Sequence, residues 1–187
     1  VSGGARHARD ARSELLAEAR LAARLDHPHI ANIYDVGETD AGEPYIALAY
    51  CGGGALAERI ASRHPLPLAE IIDIAQQLAA ALDAAHGSGI VHRDVKPANV
   101  LFDAHGAVRL SDFGIAKLAS RDALNTGTVR GTAAYLAPEQ LRGEPADHRS
   151  DLWAFGVTLY EMLAGRRPFD GASSAAVLYG ILASRPE

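Results

Sequence analysis

Asp94, Lys96 and Asn99 fall within one short stretch, and Asp112 follows eighteen residues after Asp94. A carboxylate can accept or orient the proton of an attacking hydroxyl. A lysine can neutralise a phosphoryl group in transit, and a carboxamide with a second carboxylate supplies the oxygen ligands that Mg²⁺ prefers. Together these four side chains make the set that phosphoryl transfer needs. A lone aspartate in such a loop more often bonds its own turn backbone. The lysine at +2 and the asparagine at +5 shift that balance, and Pro97 stiffens the loop that carries them.

The surrounding sequence predicts the elements that must hold these residues. Residues 11–25 read as a helix, with Leu15, Ala19 and Ala22 on one face and Glu14, Glu18, Leu21 and Leu25 on another. Asp26-His27-Pro28 ends it, because the residue before a proline is pushed out of helical geometry. Two strands are expected, Ala31–Val36 and Pro44–Tyr50, with a polar turn between them. Cys51-Gly52-Gly53-Gly54 reads as a flexible hinge. Leu68 to His86 is a strong helical pattern, with Leu68, Ile71, Ile72, Ala75, Leu78, Ala79 and Leu82 on its stripe and Gly87 at its end. Val100–Phe102 and Val108–Leu110 flank a four-residue turn and predict a hairpin. Residues 115–136 show little periodicity, and a loop of that length inside a compact domain is usually functional. Asp151–Leu163 and Ser173–Ala183 read as the remaining helices.

Bulk properties narrow the class. The chain has 187 residues, 48% of them hydrophobic, enough for a packed core. A net charge of −5 argues against general affinity for nucleic acid or anionic membrane. Cys51 is the single cysteine, so no internal disulfide forms, in keeping with a reducing cytoplasm. No apolar run approaches the roughly 18 residues that a membrane span requires, and no signal peptide is evident. The chain starts at Val1 and its one methionine is Met162, which reads as a fragment of a longer protein.

The stretch His92-Arg93-Asp94-Val95-Lys96-Pro97-Ala98-Asn99 resembles the protein-kinase catalytic loop, and Asp112-Phe113-Gly114 resembles its metal-binding partner motif. Gly131-Thr132 with Ala137-Pro138-Glu139 resembles the end of a kinase activation segment. With Glu18-Ala19 ahead of Leu25-Asp26-His27-Pro28, these motifs stand in kinase order over roughly Glu14 to Ala183. Their wording is similar to that of bacterial serine/threonine kinases related to the eukaryotic ones. The resemblance implies an α+β, two-lobe fold, mostly the helical C-lobe, with residues 1–50 as the remnant of the N-lobe and 51–187 as a C-lobe lacking its last helices.

It also implies roles. Asp94 would be the catalytic base, Lys96 would stabilise the transferred group, and Asn99 and Asp112 would hold Mg²⁺ or Mn²⁺. Glu18 would pair with the ATP-binding lysine. Leu48 would be the gatekeeper, with backbone groups of Ala49 and Cys51 on adenine. His92 would pack on Phe113, which would lie beneath the first helix. Thr132 would bond Asp94 and Lys96. Thr126 and Thr128 would be autophosphorylated within a kinase dimer, and Arg93 would grip that phosphate. Asp151 would accept backbone N–H groups from the catalytic loop, and it could cap its helix at the same time. The expected partners are ATP and proteins bearing Ser or Thr.

Departures from the family pattern are equally plain. No glycine-rich loop and no ATP-binding lysine occur in the chain, and the helices carrying the arginine partner of Glu139 are absent. That carboxylate is therefore expected to be buried and unpaired. Alanine at positions 55 and 98 suggests no strong preference for arginine upstream of the target residue, with Glu161 the one acidic group kept. A pseudokinase or scaffold is the alternative reading, and a small-molecule phosphotransferase is disfavoured by the Ala137-Pro138-Glu139 segment.

Overall fold

Each functional loop is anchored by elements whose burial follows from their side chains. The computed structural model describes residues 16–113 and 133–185. The first helix, α1, covers residues 16–22. Ala19 and Ala22 are buried while Leu21 stays exposed. The helix stops earlier than the expected residue 25, because Leu25 N–H bonds the Ala22 carbonyl in a tight turn of 3.0 Å. That turn swings Leu25 into the core rather than onto the outer face with Glu18.

Strands β1 (Ile33–Glu38) and β2 (Pro44–Leu48) pair antiparallel, with an irregularity between Ile33 and Asp35. The first begins two residues later than expected because residues 29–31 have another partner. Leu110 N–H donates to the His29 carbonyl and Ala31 N–H to the Leu110 carbonyl, each at 2.9 Å. The second ends before Tyr50, whose ring is 94% exposed.

The segment after β2 is less free than its glycines suggest. Gly53 N–H bonds the Phe102 carbonyl, and Phe102 N–H bonds the Gly54 carbonyl. A Cβ on Gly53 would lie 2.6 Å from the Asp103 carbonyl oxygen. Glycine is required there by close backbone approach. Helix α2 (Leu56–Arg63) follows, an element the sequence reading missed. Its Leu56 and Ile60, one turn apart, are buried, and the Glu58 carboxylate accepts the Ala55 N–H.

Helix α3 (Leu68–Gly87) buries Ile71, Ile74, Leu78, Ala81, Leu82 and Ala85. The expected stripe was rotated, since Leu68 and Ile72 are exposed. Gly87 is still helical, and the left-handed residue after the helix is Gly89, at φ 74°. The hairpin β3 (Val100–Phe102) and β4 (Val108–Leu110) lies where expected. Asp103 organises its turn by accepting from the His105 and Ala107 N–H groups and from Arg109.

Beyond it come α4 (Pro138–Leu141), α5 (His148–Ala164) and α6 (Ser174–Ala183). Asp147 caps α5 and Ser173 caps α6, each accepting a first-turn N–H. The main core joins α1, α2, α3, the hairpin and α5. A smaller one gathers Phe169, Val177 and Ile181 beneath Trp153, whose ring stacks on Phe169 at 5.8 Å. The result is the α+β arrangement expected, a small sheet region beside a larger helical body. Among the described residues no helix is long and apolar enough to cross a membrane.

Candidate active site

The catalytic loop is held from below by one buried carboxylate. Asp151, in the first turn of α5, has a side chain 1% exposed. It accepts His92 N–H at 2.8 Å, Arg93 N–H at 2.7 Å and the His86 ring nitrogen at 2.7 Å. Capping falls to Asp147, so the loop-holding alternative for Asp151 is the one observed. His86, at the end of α3, was not singled out from sequence, and only its closeness to Asp151 in space reveals it.

His92 is fully buried and uses both ring nitrogens. Nδ1 accepts the Asp94 N–H and Nε2 donates to the Ser111 carbonyl at 2.9 Å. Those two bonds require the neutral ring with its proton on Nε2. Burial pushes its pKa below the ordinary value, although the Asp151 carboxylate pulls the other way. The ring packs on Phe113 with centroids 4.5 Å apart, and Phe113 shares the core with Ala19 and Ala22 of α1. His92 thereby ties the catalytic loop to the segment carrying Asp112.

Above this base the reactive groups converge on one oxygen. Lys96 Nζ lies 2.7 Å from Asp94 Oδ2, and Asn99 Nδ2 donates to the same oxygen at 3.0 Å. Asn99 Nδ2 also bonds the Asp94 backbone carbonyl at 2.8 Å. Val95 is fully buried between the two, which pins the loop while Asp94 and Lys96 remain 15% and 19% exposed. Pro97 opens a single 3₁₀ turn, Pro97–Asn99, where its missing N–H costs nothing. The Asn99 carbonyl accepts Ser111 N–H at 2.9 Å, so Asn99 and Asp112 are set side by side.

Two non-glycine residues adopt left-handed backbone, Arg93 at φ 66° and Asp112 at φ 58°. Such conformations cost on the order of 1–3 kcal/mol each and persist where surrounding bonds enforce them. Both flank the Asp94 loop.

The donor set fits a hard divalent cation. Asn99 spends its nitrogen on Asp94, which leaves its carboxamide oxygen as the ligand atom, and the Asp112 carboxylate is exposed. Two protein oxygens suit Mg²⁺, which keeps waters and phosphate oxygens in its shell. No group of three or more His, Cys, Asp or Glu suited to a metal occurs among the described residues.

Other expected site residues fall as follows. Glu18 on α1 makes an ion pair with Arg93, Oε1 to Nη1 at 2.8 Å, a contact the sequence reading did not foresee. Both line a small cavity of about 90 Å³ with Leu21 and Phe113. Leu48 ends β2 and is 37% exposed. Ala49 N–H bonds the Asn32 carbonyl at 2.8 Å, so its carbonyl is the group that could meet a ligand, with the weak Cys51 thiol 3.7 Å away. Burial raises the Cys51 pKa, which suits an inert thiol. Thr126, Thr128, Thr132 and Gly114 lie outside the described residues. The expectation of a buried, unpaired Glu139 is not met. It is half-buried and accepts the Ser150 hydroxyl at 2.7 Å.

Comparison with known proteins agrees with this geometry. The protein kinase domain model matches residues 4–184. The chain is 45% identical over 167 residues to the serine/threonine-protein kinase PknB of Mycobacterium leprae, covering 87% of this chain and 27% of that protein. It is 45% identical over 161 residues to PrkC of Bacillus subtilis, covering 86% and 25%. It is 41% identical over 163 residues to PknL of Mycobacterium tuberculosis, covering 87% and 41%. The chain thus spans between a quarter and two fifths of these relatives. With the match running through the catalytic loop and both flanking lobes, the chain belongs to the protein kinase domain family.

Proposed function

We propose that the protein containing this chain transfers the γ-phosphoryl group of MgATP to Ser or Thr hydroxyls of proteins. The observation that carries this reading is the convergence of Lys96 and Asn99 on Asp94 Oδ2. That carboxylate is positioned to take or orient a hydroxyl proton, and the ammonium beside it suits the charge of a moving phosphoryl group. Bound Mg²⁺ would supply charge neutralisation at the phosphate oxygens, held through Asn99 and Asp112. The serine/threonine names of the relatives and Lys96 within the resembling loop support the choice of acceptor. In the same reading Thr126 and Thr128 are autophosphorylated, within a kinase dimer, and the catalytic domain works in the cytoplasm.

The metal assignment has its own test. ATP should bind the full-length protein more tightly with Mg²⁺ than with a chelator, and Asp112→Asn should shrink that gain about tenfold, the scale of one lost charged contact. Calorimetric titration reads both. ATP affinity indifferent to Mg²⁺, or a gain untouched by the substitution, would remove Asp112 from the metal site.

A further inference from the structure

A groove of about 660 Å³ opens beside Lys96, two residues from Asp94. A protein segment that delivers a hydroxyl to Asp94 must run along one side of it, and this groove is large enough for such a segment. Its walls are small near the catalytic loop, with Ala57 and Ala61 of α2 facing Ala98. Tyr135, Glu161 and Arg167 also line it.

The charged groups among these three are unevenly engaged. Glu161 is the single carboxylate among the described lining residues, and it already accepts the Tyr135 hydroxyl at 2.5 Å. Burial, and then that carboxylate, push the Tyr135 pKa far above its ordinary value, so the phenol remains a donor. The Arg167 charge opposes that shift, and its side chain lines the same groove. Glu161 is therefore already hydrogen-bonded before any substrate arrives. Arg167 bonds Asp170 through Nη2 at 3.0 Å, but Asp170 is 60% exposed and the pair is open to water. Exposed pairs of this kind hold weakly, and a guanidinium has five N–H donors to share.

We propose that Arg167 is a specificity-determining residue: the groove accepts substrate segments carrying an acidic side chain near the target Ser or Thr and disfavours basic ones. The proposal rests on the phosphoryl-transfer reading and adds a substrate class to it. It goes further than the alanine at position 98, which only withholds an acidic partner from a basic substrate. An acidic side chain would displace Asp170 from the guanidinium, whose own side chain is 24% exposed, and would gain a charge-assisted bond that a neutral side chain could not match.

The test uses fluorescent serine peptides in which Glu, Gln or Arg is placed in turn at each flanking position. Binding to the full-length protein is read by anisotropy without ATP. At one position at least, the Glu peptide should bind about tenfold tighter than the Gln peptide, and Arg more weakly than either. Arg167→Gln should bring Glu and Gln together, Arg167→Glu should favour Arg, and Arg167→Lys should keep the original order at reduced contrast. Wild-type preference for Arg, or no charge preference at any position, overturns the proposal without any variant. An unchanged ranking in a folded Arg167→Gln protein, checked by thermal melting, overturns it as well. Peptides ranked as expected yet never phosphorylated on adding MgATP would count against the transfer reading and leave the Arg167 assignment supported.

Discussion

Asp94→Asn should lower the turnover number by about 10²–10⁴, the range general-base and proton-orienting groups supply, while ATP binding stays close to that of the unaltered protein. The substitution is close to isosteric, and an amide oxygen can still accept from Lys96 Nζ and Asn99 Nδ2, the two groups now on Oδ2. The loop should therefore hold its shape while losing its proton acceptor. Asp94→Ala differs in a way that separates chemistry from architecture. It removes the side-chain oxygen that Lys96 Nζ and Asn99 Nδ2 share at a site only 15% exposed, while Asn99 keeps its bond to the backbone carbonyl at position 94, and the expected stability cost is about 1 kcal/mol in addition to the lost turnover. Turnover assays with ATP titrations and urea melts read the two effects apart. An Asp94→Asn protein that kept a tenth or more of its turnover would exclude Asp94 as the base.

The largest effect on stability should come from Asp151. One carboxylate satisfies two backbone N–H groups of the catalytic loop and the His86 ring. Alanine would orphan both N–H groups and take the acceptor from the partly exposed His86 ring, and the expected loss is about 3–5 kcal/mol at about 1–3 kcal/mol for each orphaned donor. The side chain is 1% exposed, so solvent does not soften the change. Asparagine should cost less, because its single oxygen still serves one donor while its amide nitrogen opposes another. Activity should fall in both variants, since the two N–H groups belong to His92 and Arg93, the residues that set the position of Asp94. Urea unfolding of the full-length protein gives the order wild type, Asn, Ala. An Asp151→Ala protein within about 1 kcal/mol of wild type, no more than the cost of a single orphaned buried donor, would mean that the loop is held by something else.

Much of this architecture was legible in the chain, for reasons that differ by residue. The β3–β4 hairpin was readable because Asp103 and Gly106 encode the turn locally, the aspartate accepting N–H bonds two and four residues ahead. The Asp94, Lys96, Asn99 and Asp112 set was readable because its spacing is chemical rather than conformational. The buried face of α3 was misjudged since Leu68 and Ile72 are apolar yet lie on the exposed side, and apolarity alone does not say which way a helix turns. β1 slipped by two residues because Ala31 bonds Leu110, a partner seventy-nine positions away that no local pattern announces. His86, Tyr135 and Arg167 were missed for the same reason. Each matters through a contact distant in sequence, and none sits at a telling interval from the catalytic loop. Glu18 shows the converse case: its position matched a known pattern, yet its partner in the structure is Arg93.

The proposed chemistry of this loop is the transfer of a phosphoryl group onto an aliphatic hydroxyl. Four peptides identical except for Ser, Thr, Tyr or Ala at one position, incubated with the full-length protein and MgATP and read by mass spectrometry, test it most directly. Phosphate is expected on the Ser and Thr peptides and none on the Tyr or Ala peptides. Phosphate on tyrosine alone, or no phosphopeptide from a protein that demonstrably binds MgATP and the peptides, would contradict it.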